Sequence, residues 1–210
     1  VLKRFNFRLD NRGEHHRFGL HAVPPDGLAG PLDIRGDLVG ANAQDLLAWR
    51  GALYARLDRT DLAAWSGWLD LPFDLRRGLG EVRLWLQFDR DSVLDANVDV
   101  ALSAIDLRLA PDLPRLELQS VSGSLGWRSL RPGHELRTRQ LAFVALDGTV
   151  FPPTDVLARQ IPATGKKPET GEISVNGLDL NALATLAIHL PFSAAQRELL
   201  AQSQPRGTLS

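Results

Sequence analysis

The chain has 210 residues, 44% hydrophobic and 23% charged, a composition ordinary for a folded globular segment and long enough to bury a core. Its formal net charge is −1, with 24 Lys and Arg against 25 Asp and Glu, so no overall field draws in nucleic acid or an anionic bilayer. Cysteine is absent, which removes disulfides and thiolate metal sites and fits both the cytosol and an envelope compartment.

Near the N-terminus, apolar residues alternate with polar ones at Phe5-Phe7-Leu9, Phe18-Leu20-Ala22 and Leu32-Ile34. This is the two-residue period of half-buried strands, and Asn11-Arg12-Gly13 and Pro24-Pro25-Asp26-Gly27 supply the breaks between them. The segment Gly51 to Phe73 then reads as strand, capped short helix and Pro stop. Leu53, Ala55 and Leu57 alternate; Asp61 stands where a helix N-cap accepts backbone N–H groups; Leu62, Trp65, Trp68 and Leu69 fall on one helical face; Pro72 ends the turn.

The same grammar returns from Ile173 to Phe192. Asp179-Leu180 takes the place of Asp61-Leu62, Leu180, Leu183, Leu186 and Leu190 form the apolar stripe, and Pro191-Phe192 corresponds to Pro72-Phe73. The two caps lie too far apart for a solenoid period of roughly 20–50 residues, so each copy is expected to be embedded among other strands. By this alignment Arg206-Gly207-Thr208-Leu209 leads into a strand as the chain ends. Together with Val1 in place of Met, this leads us to expect residues 1–210 to be one β-rich segment of a larger repeating protein, without an internal domain boundary.

Between the copies, Val82, Leu84, Leu86 and Phe88 alternate with Glu81, Arg83, Trp85 and Gln87. Beyond the turn Asp89-Arg90-Asp91-Ser92, the pattern resumes at Leu94, Ala96, Val98, Val100 and Leu102. A long antiparallel hairpin with one dry face is predicted. The apolar parity slips to Ile105, Leu107 and Leu109, which calls for a bulge at Ser103-Ala104. Further strands are expected at Arg115 to Gln119, Val121 to Arg128, Glu135 to Leu146 and Glu172 to Val175. A polar loop is expected from Ala158 to Gly171, and a third helix from Ser193 to Gln202. The result is a mainly β chain, a long curved antiparallel sheet with a few short capping helices.

Such strands must hide their dry face. A second sheet or barrel closure would make it a core, and a curled sheet would leave an apolar trough. The residues assigned to that face are Leu53, Leu57, Val82, Leu84, Leu86, Phe88, Val98, Val100, Leu102, Ile105, Leu107 and Leu109.

Other motifs have plainer explanations. Asp58 and Asp61 are accounted for by a strand end and a cap rather than a catalytic pair. Asp89 and Asp91 open like a Ca²⁺ loop, but Val93, Leu94 and Val100 occupy positions that need a ligand, a glycine and a bidentate Glu. His15, His16 and His21 read as solvated strand residues rather than metal ligands. Ser122 to Gly126 lacks the first glycine of a nucleophile elbow, and Gly78-Leu79-Gly80 leads into a strand, not a dinucleotide-binding helix. Of the tryptophans, Trp65 and Trp68 are expected to pack a helix on the sheet, while Trp85 points away from Leu84 and Leu86. No enzymatic site, metal or cofactor is expected. The longest apolar stretch, Leu183 to Leu190, falls short of the roughly 20 residues that span a bilayer.

The strings PLDIRGDL (Pro31 to Leu38), WRGALYARLDRTDLAAW (Trp49 to Trp65), WLDLP (Trp68 to Pro72), GLGEVRLW (Gly78 to Trp85), LPRLELQSVSGSLGW (Leu113 to Trp127) and FPPTDV (Phe151 to Val156) resemble the YhdP family of AsmA-like proteins of the Gram-negative envelope. The resemblance implies an inner-membrane-anchored periplasmic protein built of repeating β segments lined by a hydrophobic groove, which passes phospholipid toward the outer membrane. Implied partners are phospholipid acyl chains and neighbouring β segments of the same chain, with membrane contact made elsewhere. The alternative is a structural or adaptor module with a closed sandwich core.

Overall fold

The computed structural model describes residues 4–24, 30–41, 45–65, 73–163, 170–179, 182, 186–189 and 208–209. Ten strands form one antiparallel sheet in sequence order: β1 Arg4–Arg12, β2 His15–Val23, β3 Leu32–Val39, β4 Arg50–Asp61, β5 Asp74–Asp89, β6 Ser92–Arg108, β7 Leu116–Leu130, β8 Gly133–Ala145, β9 Val150–Ile161 and β10 Thr170–Asn176. A second, two-stranded sheet joins β11 Leu178–Asp179 to β12 Thr208–Leu209. Among the described residues the ten strands make a single layer, so the fold is an open sheet rather than a sandwich or a closed barrel.

Three strands carry one surplus residue each, with left-handed backbone: Arg59 in β4, Ala104 in β6 and Gln140 in β8, at φ 47°, 50° and 49°. The ladder shifts register at each of these points. Absorbing the extra residue in a bulge lets Leu102 and Ile105 stay on one face although three positions separate them, and it bends and twists each strand locally. The expected bulge at Ser103-Ala104 is therefore present, one of a band that crosses the middle of the sheet. Gly80 lies in β5 between the β4 and β6 bulges, where neighbouring backbones close in. At φ 152° and facing the Ala101 carbonyl, it has no room for a Cβ.

β9 departs from the sequence expectation. Pro152-Pro153 argues against a strand there and the polar loop is expected to begin at Ala158, yet the strand runs to Ile161. Between Leu141/Thr154 and Phe143/Phe151 two residues of β8 oppose three of β9, so the prolines sit in a bulge where their missing N–H groups cost no ladder bond. On the other side β10 pairs with β9 only from Asp155 onward. The separate strands expected on either side of Ser120 are one strand, β7, with a register shift between Leu118 and Ser120.

The repeated unit is visible in both copies. Asp61 accepts a hydrogen bond from the Ala63 N–H at 3.0 Å, and Asp179 accepts one from Ala182 at 3.1 Å. Each capping Asp also pairs with the residue that follows an Arg-Gly dipeptide: Asp61 with Leu79, and Asp179 with Thr208. The first helix is a short 3-10 turn, Leu62–Trp65, and its expected continuation through Trp68, Leu69 and Pro72 lies outside the described residues. So do Leu180, Leu183, Leu190, Pro191 and the helix expected from Ser193 to Gln202.

Buried side chains concentrate at one end of the sheet, where Leu75, Ile105, Leu116, Leu118, Ala145 and Phe151 pack with Ala182 and Leu186, flanked by Leu62 and Phe73. Replacing Gly80 with alanine should lower the unfolding free energy by about 1–3 kcal/mol in urea denaturation. Gly19→Ala, where a new methyl group meets nothing, should stay within about 0.5 kcal/mol of the wild type.

Candidate functional site

The ladder register places the dry-face side chains in rows that run across the strands. One row passes through Leu9, Phe18, Gly36, Leu53, Leu86, Ala96, Trp127, Leu136, Ala158 and Ile173. The next passes through Phe7, Leu20, Ile34, Ala55, Leu84, Val98, Leu125, Thr138, Val156 and Val175. A third begins Phe5, Ala22, Leu32, Leu57, Val82, Val100. No charged residue interrupts any of them. In the first two rows the only polar side chain is Thr138, whose Oγ1 donates to the Thr154 carbonyl at 3.3 Å and accepts from the Val156 N–H at 3.0 Å. At a strand spacing of about 4.8 Å, rows crossing ten strands give an apolar track on the order of 43 Å long.

All twelve residues assigned to the dry face lie in the described region. Leu53, Leu57, Val82, Leu84, Leu86, Phe88, Val98, Val100 and Leu102 are half-buried, with no second sheet over them among the described residues. Ile105, 3% exposed, belongs instead to the packed end, with Leu107 beside it. Leu109 is half-buried in the bend after β6 rather than in the strand. The same surface is therefore a core at one end and, among the described residues, an open trough along the rest. It reaches both sheet edges, where Phe5 is 62% and Ile173 73% exposed. The residues assigned from the sequence lie on β4 to β6 and in the bend after β6, whereas β1 to β3 and β7 to β10 also contribute to this face, and the alternation in β1, β2 and β3 carries that signal.

The reverse face is wet and held by opposite charges on neighbouring strands. Arg17 pairs with Asp37 at 2.8 Å, Arg128 with Asp95 at 2.8 Å, and Arg159 with the buried Glu135 at 2.8 Å. Near the packed end Arg115 donates to Asp74 at 2.7 Å and to both the carboxylate and the carbonyl of Asp106, joining β5 and β6 to the approach to β7. Asp58 takes Arg56 at 2.7 Å, and Asp61 accepts the Ala63 N–H at 3.0 Å as a cap.

One aromatic placement departs from the sequence expectation, and another, Trp85, follows it. Trp49, 8% exposed, stacks on His16 with ring centroids 4.6 Å apart, so His16 is not the solvated residue expected. Its Nε2 lies 2.9 Å from the Gly40 carbonyl. Trp85 stands on the wet face, 39% exposed, against Tyr54. Among the described residues no three His, Asp or Glu side chains are grouped to hold a metal ion, and no helix is long and apolar enough to cross a membrane.

A single open antiparallel sheet with one uncharged apolar face and one ion-paired face defines a mainly β, open-sheet protein. Within that class the chain belongs to the YhdP family: the family model described as YhdP protein matches residues 2–210. No curated protein and no solved structure matches the chain.

Packing at the two ends of the dry face differs enough to measure. Ile105→Ala should cost about 2–5 kcal/mol by chemical denaturation, as in a closed core, whereas Leu84→Ala in the uncovered trough should cost under about 1.5 kcal/mol. Equal losses would mean that the trough is covered in solution.

Asp74 is held below its ordinary value of 3.8, first by the Arg115 hydrogen bond; desolvation opposes this, and the charges of Arg115, Arg108 and Arg76 reinforce it. Folded Asp74 thus releases its proton more readily than unfolded Asp74. Its stabilising contribution is complete above the ordinary value and is lost as pH falls through the lower folded one. Arg115→Ala should lower the thermal midpoint at neutral pH, and the gap to wild type should narrow between about pH 4 and pH 2. A gap constant over that range would contradict the assignment.

Proposed function

We propose that this chain is a non-enzymatic segment of an inner-membrane-anchored periplasmic protein that carries phospholipid toward the outer membrane along its apolar face. The observation that carries the reading is the uncharged track of side chains running across all ten strands, half-buried over β4 to β6 and open at both sheet edges. A lipid tail moving through water exposes methylene groups at roughly 0.8 kcal/mol each. A continuous apolar surface lowers that barrier with no bond made or broken, so no cofactor is called for. YhdP family membership is consistent with such a role in the envelope.

The direction of the track also favours a conduit. Rows of side chains cross the strands, so chain added at either sheet edge in the same register would lengthen the track without interrupting it. A closed sandwich spacer would need a second layer over Leu84, Leu86, Val98 and Val100, and the described residues supply none.

Photocrosslinking amino acids placed at Leu86 and Val100 in cells, followed by lipid mass spectrometry, test the reading. Phospholipid should be recovered from both positions and not from Arg83 on the wet face. Lipid captured at neither apolar position would overturn it.

A further inference from the structure

The wet face holds a depression of about 440 Å³ that a lipid track on the opposite face leaves unused. Its volume falls within the roughly 300–1,000 Å³ typical of small-molecule sites. The ladder explains how it arises. Asp37, Ala52 and Gln87 stand side by side on β3, β4 and β5, and Tyr54 and Trp85 are the next cross-strand pair along β4 and β5. Because Ala52 has only a methyl group, a gap of about 10 Å opens between Asp37 and Gln87, two strand spacings apart. Tyr54 and Trp85 wall this gap, with ring centroids 5.5 Å apart and planes at 52°.

The charges round the gap are already matched. Arg17 is engaged by Asp37 at 2.8 Å; Arg35 by Asp33 at 2.6 Å, while its guanidinium lies 5.8 Å from the Tyr54 ring centre; Asp95 by Arg128 at 2.8 Å. No surplus cation is left to select a phosphate and no surplus carboxylate to select a metal. By contrast, the Gln87 amide, the Tyr54 hydroxyl and the Trp85 indole N–H have no hydrogen-bond partner among the described residues. Asp37 engages Arg17 through one carboxylate oxygen, leaving its other oxygen as an acceptor. An extended peptide adding to a sheet needs an unpaired edge, and this site lies over strands whose ladders are complete on both sides.

We propose that this depression binds an uncharged carbohydrate, one pyranose ring stacked on Trp85 with its rim hydroxyls reaching Gln87 and Asp37. A pyranose presents C–H groups on its faces and hydroxyls at its edge. The negative face of an indole attracts the former, and a planar amide and a carboxylate bridge the latter. Tyr54 packs against the indole in a tilted contact and braces it, while Trp85 keeps 39% of its surface exposed for a stacking ring. The site needs nothing from the apolar face, so the two functions stand or fall separately.

Titrating the protein with maltotetraose, cellotetraose and chitotetraose, followed by tryptophan fluorescence and calorimetry, tests the proposal. At least one saccharide should bind. Trp85→Ala should weaken it by about tenfold or more, equivalent to about 1.4 kcal/mol, and Trp85→Tyr should restore part of the loss. Gln87→Ala, an exposed change that leaves the rings in place, should weaken binding severalfold and guards against misfolding of the tryptophan variant. No binding up to about 10 mM of any of the three, equal binding by Trp85→Ala, or displacement by inorganic phosphate would each overturn the proposal.

Discussion

Ten strands can share one dry face only while every neighbouring pair keeps its register, because a slip of one residue turns all the apolar side chains of a strand toward water. The rest of the structure follows from that constraint. Row after row, from Leu9 to Ile173 and from Phe7 to Val175, the ladder sets apolar against apolar, and the opposite face sets Arg17 against Asp37 and Glu135 against Arg159. The two faces reinforce each other, since a slip that wetted Leu86 would also separate ion pairs across the sheet. Where strands must bend, the surplus residue is confined to a bulge with left-handed backbone. Parity is therefore restored on the far side, as Ile105 shows by joining the same face as Leu102.

Much of this was legible in the amino-acid order. Alternation alone gave β1 to β3 and the hairpin of β5 and β6, and the parity slip after Leu102 located the Ala104 bulge. Both Asp caps were readable because a side-chain acceptor ahead of an apolar run has few other uses. β9 was hidden because Pro152-Pro153 removes two donors, and only the positions of β8 and β10 reveal that neither donor was required. The depth of burial was hidden too. Ile105 and Leu84 have the same pattern around them, yet one lies beneath Ala182 and Leu186 while the other has no cover among the described residues, and that difference depends on residues far along the chain. For the wet-face depression, the signal available was Trp85 standing out of phase with its apolar neighbours; that Ala52 opens a gap beside it follows only from the register of three strands.

One continuous surface thus serves two purposes. At the end near Ile105, Leu62, Ala182 and Leu186 press onto it and supply burial that holds the sheet together. Along the remainder, the same residue types, in the same alternation, stay half open. Apolar strand faces normally become cores because nothing prevents a second layer from forming; here, among the described residues, the end near Ile105 is packed over and the remainder is not.

Every inner strand of the main sheet pairs with the strand just before it and the strand just after it, with no crossover. A ladder of that kind can be laid down in the order of synthesis, each hairpin closing a short loop on an edge already in place, without waiting for distant sequence to arrive. It also means that length is an adjustable property. Removing or duplicating a hairpin pair would shorten or extend the sheet while leaving the orientation of every other side chain untouched.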